Sequence, residues 1–270
     1  MKDKVVLITG GSSGIGKALA VEFGRKGSKV VITGRDAGKL AEVEILLRNE
    51  GITYLSLVSD VSMQADNEAV IAAVMTQFGQ LDVLINNAGI SMRAMFEDLD
   101  PEVIRKVMDI NFFGSVYATK AALPHLLKSK GSIVGISSIA GYRGLPVRVG
   151  YSASKFALNG FLEALRTELL HSGVHVLTAS PGFTASNIRV ASLGKDGQKM
   201  GETMRNEAKM MSAEEVAARI YKAIVQRKRE LILTSQGKLT VWLNKLFPKF
   251  MDTMVYNELA KEENSPLRKR

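Results

Sequence analysis

Seven short apolar runs punctuate the chain, at 4–9, 29–34, 52–58, 82–86, 131–137, 174–180 and 230–233. They are rich in Val and Ile and nearly unbroken by polar residues. A strand covered on both faces reads this way, because neither side has to meet water. Longer segments between them carry apolar residues at helical spacing. Examples are Ala18, Leu19, Ala20, Val21 and Phe23 within 16–26, Val103, Val107, Ile110 and Gly114 within 102–127, and Phe161, Leu162, Leu165 and Leu169 within 151–170. That spacing lays an apolar stripe along a helix. The alternation predicts an α/β fold, a doubly wound parallel sheet of about seven strands with helices on both faces, linked by right-handed crossovers. One catalytic domain over 1–235 and a helical extension over 236–270 follow from it.

Two regions break the alternation. Residues 186–211 are polar, with Gly194, Gly197 and Gly201 and with Met200, Met204, Met210 and Met211. A variable surface loop has this composition, and so does a lid whose methionines adapt to an apolar ligand. The lid is the expectation, because the segment follows the sixth strand, at the ligand edge of such a sheet. In 238–260, Leu239, Trp242, Leu243, Leu246, Phe247, Phe250, Met251, Met254 and Val255 mark one stripe, with Lys238, Lys245 and Lys249 on other faces. Pro248 lacks an amide hydrogen and should kink or split this helix. The stripe either packs on the domain or another subunit, or lies in a membrane interface with its lysines toward lipid phosphates. The charged tail 261–270 is expected to be disordered.

At 270 residues and 46% hydrophobic, the chain can bury a full core without staples. It has no cysteine, which excludes disulfides and thiolate metal sites. No metal site is expected, and a reducing, cytoplasmic setting is. The first strand begins by Lys4, which leaves no room for a signal peptide. No apolar run approaches the ~18 residues of a spanning helix. The net charge of +9 raises the question of nucleic acid. From Arg227 to Arg270, however, ten Lys/Arg face five Asp/Glu, so the body is only mildly basic and nucleic-acid binding is not expected.

The first strand runs into Thr9-Gly10-Gly11-Ser12-Ser13-Gly14-Ile15-Gly16, which opens the first helix. Glycines there let the backbone approach a pyrophosphate, and the helix N-terminus offers free amides and a positive dipole. The second strand ends Thr33-Gly34-Arg35, where a carboxylate for the ribose hydroxyls of NAD is missing and a guanidinium follows. Arginine makes forked, charge-assisted bonds to a 2′-phosphate, so NADP(H) is expected over NAD(H), with Ser12 or Ser13 adding a hydroxyl. Asp36 suits the N-cap of the next helix. Asp60 and Val61 follow the third strand and can hold an adenine. Asn86-Asn87-Ala88-Gly89 ends the fourth, with Asn86 as structural support and the small pair beside the cofactor.

Tyr151 and Lys155 stand at i and i+4, so they share one helix face, and Ser138 lies thirteen residues before Tyr151. A phenol titrates near ~10, too high for easy exchange at neutral pH. A nearby ammonium is expected to lower it and let Tyr151 act as general acid in reduction and general base in oxidation. Ser138 would hold the substrate oxygen. Asn111 is polar in an apolar helical stretch. It either satisfies a kink or holds a relay water.

This ordered set resembles the short-chain dehydrogenase/reductase family over about residues 4–235. The resemblance implies a Rossmann-like sheet, a nicotinamide cofactor, a catalytic tetrad at Asn111, Ser138, Tyr151 and Lys155, and dimers or tetramers formed through helices 102–127 and 151–170. Of Ser137 and Ser138, the family's spacing selects Ser138. Pro181-Gly182 matches the family's turn, and Thr184 and Ser186 both suit the residue that touches the carboxamide. The glycine turn and Tyr151-Ser152-Ala153-Ser154-Lys155-Phe156-Ala157 look like the branch of ketosphinganine reductases and hydroxysteroid dehydrogenases, which act on lipophilic ketones. A carbonyl reductase is the implied activity. A nucleotide-sensing or membrane-peripheral scaffold without redox turnover is the alternative.

Overall fold

The computed structural model describes residues 1–182, 184, 188, 191–201, 210–262 and 265–269. The seven apolar runs form β1 (Val5–Ile8), β2 (Lys29–Gly34), β3 (Tyr54–Val58), β4 (Val83–Asn86), β5 (Ser132–Ile136), β6 (His175–Ser180) and β7 (Glu230–Ile232). They pair in one sheet of order β3-β2-β1-β4-β5-β6-β7, every neighbouring pair parallel. The order reverses direction beside β1, and ligands of such sheets bind in the crevice outside the strand ends at that point.

Period two along the strands builds two cores. Val6 and Ile8 point to one face, covered by Leu19 and Phe23 of α1 (Gly14–Arg25), Leu40 and Val43 of α2 (Ala37–Asn49), and, from the helix before β7, Val216 and Ile220. Val5 and Leu7 point to the other face. There they meet Val70 and Val74 of α3 (Gln64–Phe78) and the helices before and after β5. Asp36 accepts a bond from the amide of Lys39 at 3.1 Å and caps α2, as its position suggested.

The segment expected as one helix over 102–127 is three pieces. These are α4 (Pro101–Met108), a π-turn over Asp109–Phe113 and α5 (Gly114–Ser129). The π-turn adds a residue to the spiral and drives Asn111 inward, to 1% exposure. After β5 a short turn at Ile139–Gly141 leads to α6 (Val149–Glu168), and α7 (Ala213–Val225) precedes β7.

Pro248 splits the extension as expected. The chain bends at Phe247, and Pro248 takes the first position of the second helix, where no amide is needed. The helices are α8 (Ser235–Leu246) and α9 (Pro248–Ala260). The stripe divides between two faces. Met251 and Val255 are buried and pack on Val147, joined there by Leu259 from outside the stripe, whereas Leu239, Trp242, Leu246, Phe247 and Phe250 are each more than half exposed.

The tail corrects an expectation. Glu262, Ser265 and Leu267 are buried, and Pro266–Lys269 forms a short helical turn. Leu267 plugs the cluster around Met251, and Glu262 pairs with two arginines of the body. Charge density alone suggested disorder, but these two anchors outweigh it. No helix of the described residues is long and apolar enough to cross a membrane.

Candidate active site

A cleft of about 800 Å³ opens at the strand ends. Its floor is the β1–α1 turn. Gly10 adopts φ +65°, and a Cβ there would lie 2.8 Å from the Cα of Ala88, so the turn and the end of β4 touch. Thr9 joins them, its hydroxyl accepting from the amides of Asn87 and Ala88 at 3.0 and 3.1 Å. The Asn87 amide donates to the carbonyls of Thr9 and Gly10 at 2.9 and 3.1 Å. Asn86 turns away and donates to Thr119 at 2.9 Å, a purely structural bond. Gly10, Ser12, Ser13, Gly14 and Ile15 line the floor, and Asn87, Ala88 and Gly89 the side. The bare backbone, with the α1 N-terminus behind it, fits a dinucleotide pyrophosphate. Gly16 stands behind this wall, where a Cβ would strike the Gly10 carbonyl at 2.2 Å.

At the end of β2 the cleft is lined by Gly34, Arg35, Asp36 and Lys39. A Cβ on Gly34 would lie 3.1 Å from the Ser12 hydroxyl, so any longer side chain would press on that serine. Arg35 is half exposed, 3.8 Å from Asp60. Val61 lines the cleft, but Asp60 does not. One Asp60 oxygen accepts from the amide and hydroxyl of Ser62 at 3.0 and 2.7 Å, which ties the carboxylate into its own turn. Lys39 was missed in the sequence. A lysine one turn into a helix has no distinctive local signal.

Ser138, Tyr151 and Lys155 share one wall. Ser138 follows β5 and caps the turn at Ile139–Gly141, its hydroxyl accepting from the amide of Ala140 at 3.1 Å, and it stands near enough to the Tyr151 phenol to draw the phenol's pKa down. Ser137 is instead held by Asn159 at 2.5 Å, which separates the two serines. Lys155 lies over the Tyr151 ring, its Nζ 5.7 Å from the centroid, and donates to the Ile136 carbonyl at 2.9 Å. It is 4% exposed, and burial pushes its ammonium down to about 8. The Tyr151 phenol moves up rather than down. Burial is the largest cause, and Ser138 and the Arg148 charge only partly offset it. The expected acidification by Lys155 is therefore corrected, because apolar walls penalise the phenolate and the lysine's own charge alike.

Asn111 does not reach the cleft. Its side-chain oxygen accepts from the amide of Ile90 at 2.8 Å, and its nitrogen donates to the Ile90 carbonyl and the Ser154 hydroxyl, both at 2.9 Å. It clasps the loop that follows Gly89 to α6.

Pro181, Gly182 and Thr184 line the far side, while Ser186 lies outside the described residues. Within 186–211, Ile188, Ala191, Leu193 and Lys199 line the cleft. Leu193 is bridged to Met92 and packs on Val103 and Val107. Met211 packs on the core around α1 and α7, and Met204 falls outside the described residues; among the described residues of this segment the apolar lining is aliphatic. Two charged residues unforeseen at the substrate end are Arg148 and Glu262.

The comparisons with known proteins agree with this geometry. Residues 4–196 match the family described as short chain dehydrogenase. The mouse "Dehydrogenase/reductase SDR family member 7B" is 36% identical over 271 residues, covering 98% of this chain and 84% of that protein. The Arabidopsis thaliana "11-beta-hydroxysteroid dehydrogenase 1A" is 36% identical over 260 residues, covering 92% and 73%. A short chain dehydrogenase/reductase from Burkholderia phymatum, solved in complex with NAD, superposes with a TM-score of 0.83 at 24% identity, covering 92% of this chain and 95% of its own, a likeness of fold alone. An alcohol dehydrogenase from Thermococcus sibiricus, complexed with 5-hydroxy-NADP, gives 0.74 at 25% identity, covering 86% and 96%. The alternative of a scaffold without redox turnover finds no support. The sheet, the glycine turn and the Ser138–Tyr151–Lys155 wall together make this chain a member of the short-chain dehydrogenase family, an oxidoreductase fold that binds a nicotinamide cofactor.

Proposed function

We propose that the protein is an NADPH-dependent reductase of lipophilic ketones or aldehydes. The observation that carries this reading is the Tyr151 phenol, beside Ser138 and backed by Lys155, in a cleft that also holds Arg35 and Lys39. The cofactor, when bound, supplies hydride to the carbonyl carbon. Tyr151 gives its proton to the carbonyl oxygen, and Ser138 donates a bond to the same oxygen as charge builds on it. A phenol held protonated by burial is ready for this direction. Oxidation of the alcohol requires the phenolate first.

Arg35 and Lys39 favour the 2′-phosphate electrostatically, with Gly34 leaving room for it. Leu145, Ile188 and Leu193 line the substrate end and favour an apolar chain. The exposed ridge of Leu239, Trp242, Leu246, Phe247 and Phe250, with Lys238, Lys245 and Lys249 nearby in sequence, suits peripheral contact with a lipid surface. Exposed Phe113 and Phe156, on the π-turn before α5 and on α6, suit assembly into a homodimer or homotetramer.

The test is NADPH oxidation followed by absorbance across a panel of aliphatic and cyclic ketones. Tyr151→Phe should bind NADPH with unchanged affinity and lose turnover by a factor of about 100 or more. Turnover close to wild type in that variant would overturn the assigned proton donor.

A further inference from the structure

Arg148 immediately precedes α6, three residues before Tyr151, and lines the substrate end of the cleft together with Glu262. Its Nη2 lies 3.3 and 3.5 Å from the two Glu262 oxygens, and the Arg93 Nη2 lies 3.5 Å from one of them. The three side chains are 15%, 2% and 8% exposed. These separations are long for bonds between full charges, which settle near ~2.8 Å. Among the described residues, the Arg93 Nε and the Arg148 Nη1 have no hydrogen-bond partner. Anchoring the tail requires one arginine for one carboxylate. Among the described residues two guanidiniums thus share one carboxylate, an expensive excess of buried positive charge of the kind that functional sites collect.

The surrounding backbone points the same way. α6 starts with no side-chain cap and no acid in its first turn, so the positive end of its dipole adds to the arginines. Val147 holds φ +58°, a strained state for a β-branched residue. Its carbonyl accepts from the amide of Ala94 at 2.9 Å, and its side chain is buried against Met251 and Val255. The strained bend sets Arg148 at the cleft wall, and the exposed Lys106 and Lys199 add positive charge to its lining.

Resting on the carbonyl-reductase reading of the same cleft, we propose that Arg148, backed by Arg93, forms an oxyanion subsite. It takes a carboxylate or phosphate monoester carried on the carbonyl substrate, and Glu262 is the chain's own counter-ion, displaced when that group arrives. The substrate class is thus an acidic lipophilic carbonyl compound rather than a neutral one.

The experiment measures binding by calorimetry in the presence of NADP⁺, and separately turnover with NADPH. The probes are a graded series of long-chain keto acids differing in ketone-to-carboxylate distance, their methyl esters, and the matching keto phosphate monoesters. Wild type should bind at least one anion series about 10-fold or more tighter than the neutral esters, and whichever series does so identifies the group. Arg148→Gln removes the guanidinium that lines the cleft and leaves Arg93 beside Glu262, and should weaken the anion about 30-fold or more while changing the ester by less than about 2-fold. Glu262→Gln removes the competitor and should tighten the anion. A merely structural cluster would shift acid and ester alike. Equal binding of acids and esters by wild type, or an unchanged acid-to-ester ratio in Arg148→Gln, overturns the subsite. Absent turnover with intact anion-selective binding would instead refute the reductase reading and leave the subsite standing.

Discussion

Lys155 is where the structure makes a quantitative demand. Burial holds its ammonium near 8, against 10.5 for the free side chain. Between those values the unfolded chain keeps a proton that the folded chain has lost. Stability contributed by this group therefore rises with pH through the window, and the penalty is fully present at pH 7 and below. Two and a half pH units at 1.36 kcal/mol each give a cost of about 3 kcal/mol at neutral pH. Lys155→Met removes that cost but leaves the Ile136 carbonyl without its 2.9 Å donor, a loss of about 1–3 kcal/mol. At pH 7 the variant should match or exceed wild type in stability while losing activity. At pH 10 most of the penalty has gone from wild type too, so the balance should move toward the lysine by about 2–3 kcal/mol. For a chain of this length that is about 5 °C in Tm. Thermal unfolding of both proteins at pH 7 and pH 10 measures it, and other titrating groups cancel in the difference. A wild-type-to-variant offset independent of pH would refute the reasoning, because it would mean that Lys155 keeps an ordinary pKa inside the fold.

Three further outcomes are expected. Arg35→Ala should weaken NADPH by about 10-fold or more and NADH by less than about 2-fold, read by fluorescence titration, since only the 2′-phosphate needs the guanidinium. Alcohol oxidation should rise with pH up to the raised Tyr151 pKa while ketone reduction stays level or falls, because the phenol is the acid in one direction and its conjugate base the catalyst in the other. Initial rates in both directions across pH check this. Trp242→Ser with Phe250→Ser should abolish co-sedimentation with anionic vesicles and leave Tm within about 2 °C, since both side chains are more than half exposed. Undiminished co-sedimentation would remove the ridge as the lipid contact.

The sequence by itself determined whatever is local and periodic. Near-continuous Val and Ile runs marked seven strands to within a residue or two at most ends, because a strand buried on both faces has no polar alternative. The glycine turn, the cap at Asp36 and the break at Pro248 were legible because each answers a backbone requirement of its own few residues. The i, i+4 pair of Tyr151 and Lys155 was legible for the same reason. Tertiary structure alone decided the electrostatics and the closure of the cleft. Whether Lys155 acidifies Tyr151 depends on how dry their shared wall is, and dryness comes from elements far along the chain. The π-turn at Asn111 is set by its clasp on Ile90, twenty-one residues away. Glu262 meets Arg148 across 114 residues, so no window on the sequence could have separated this buried ion from the charged tail around it.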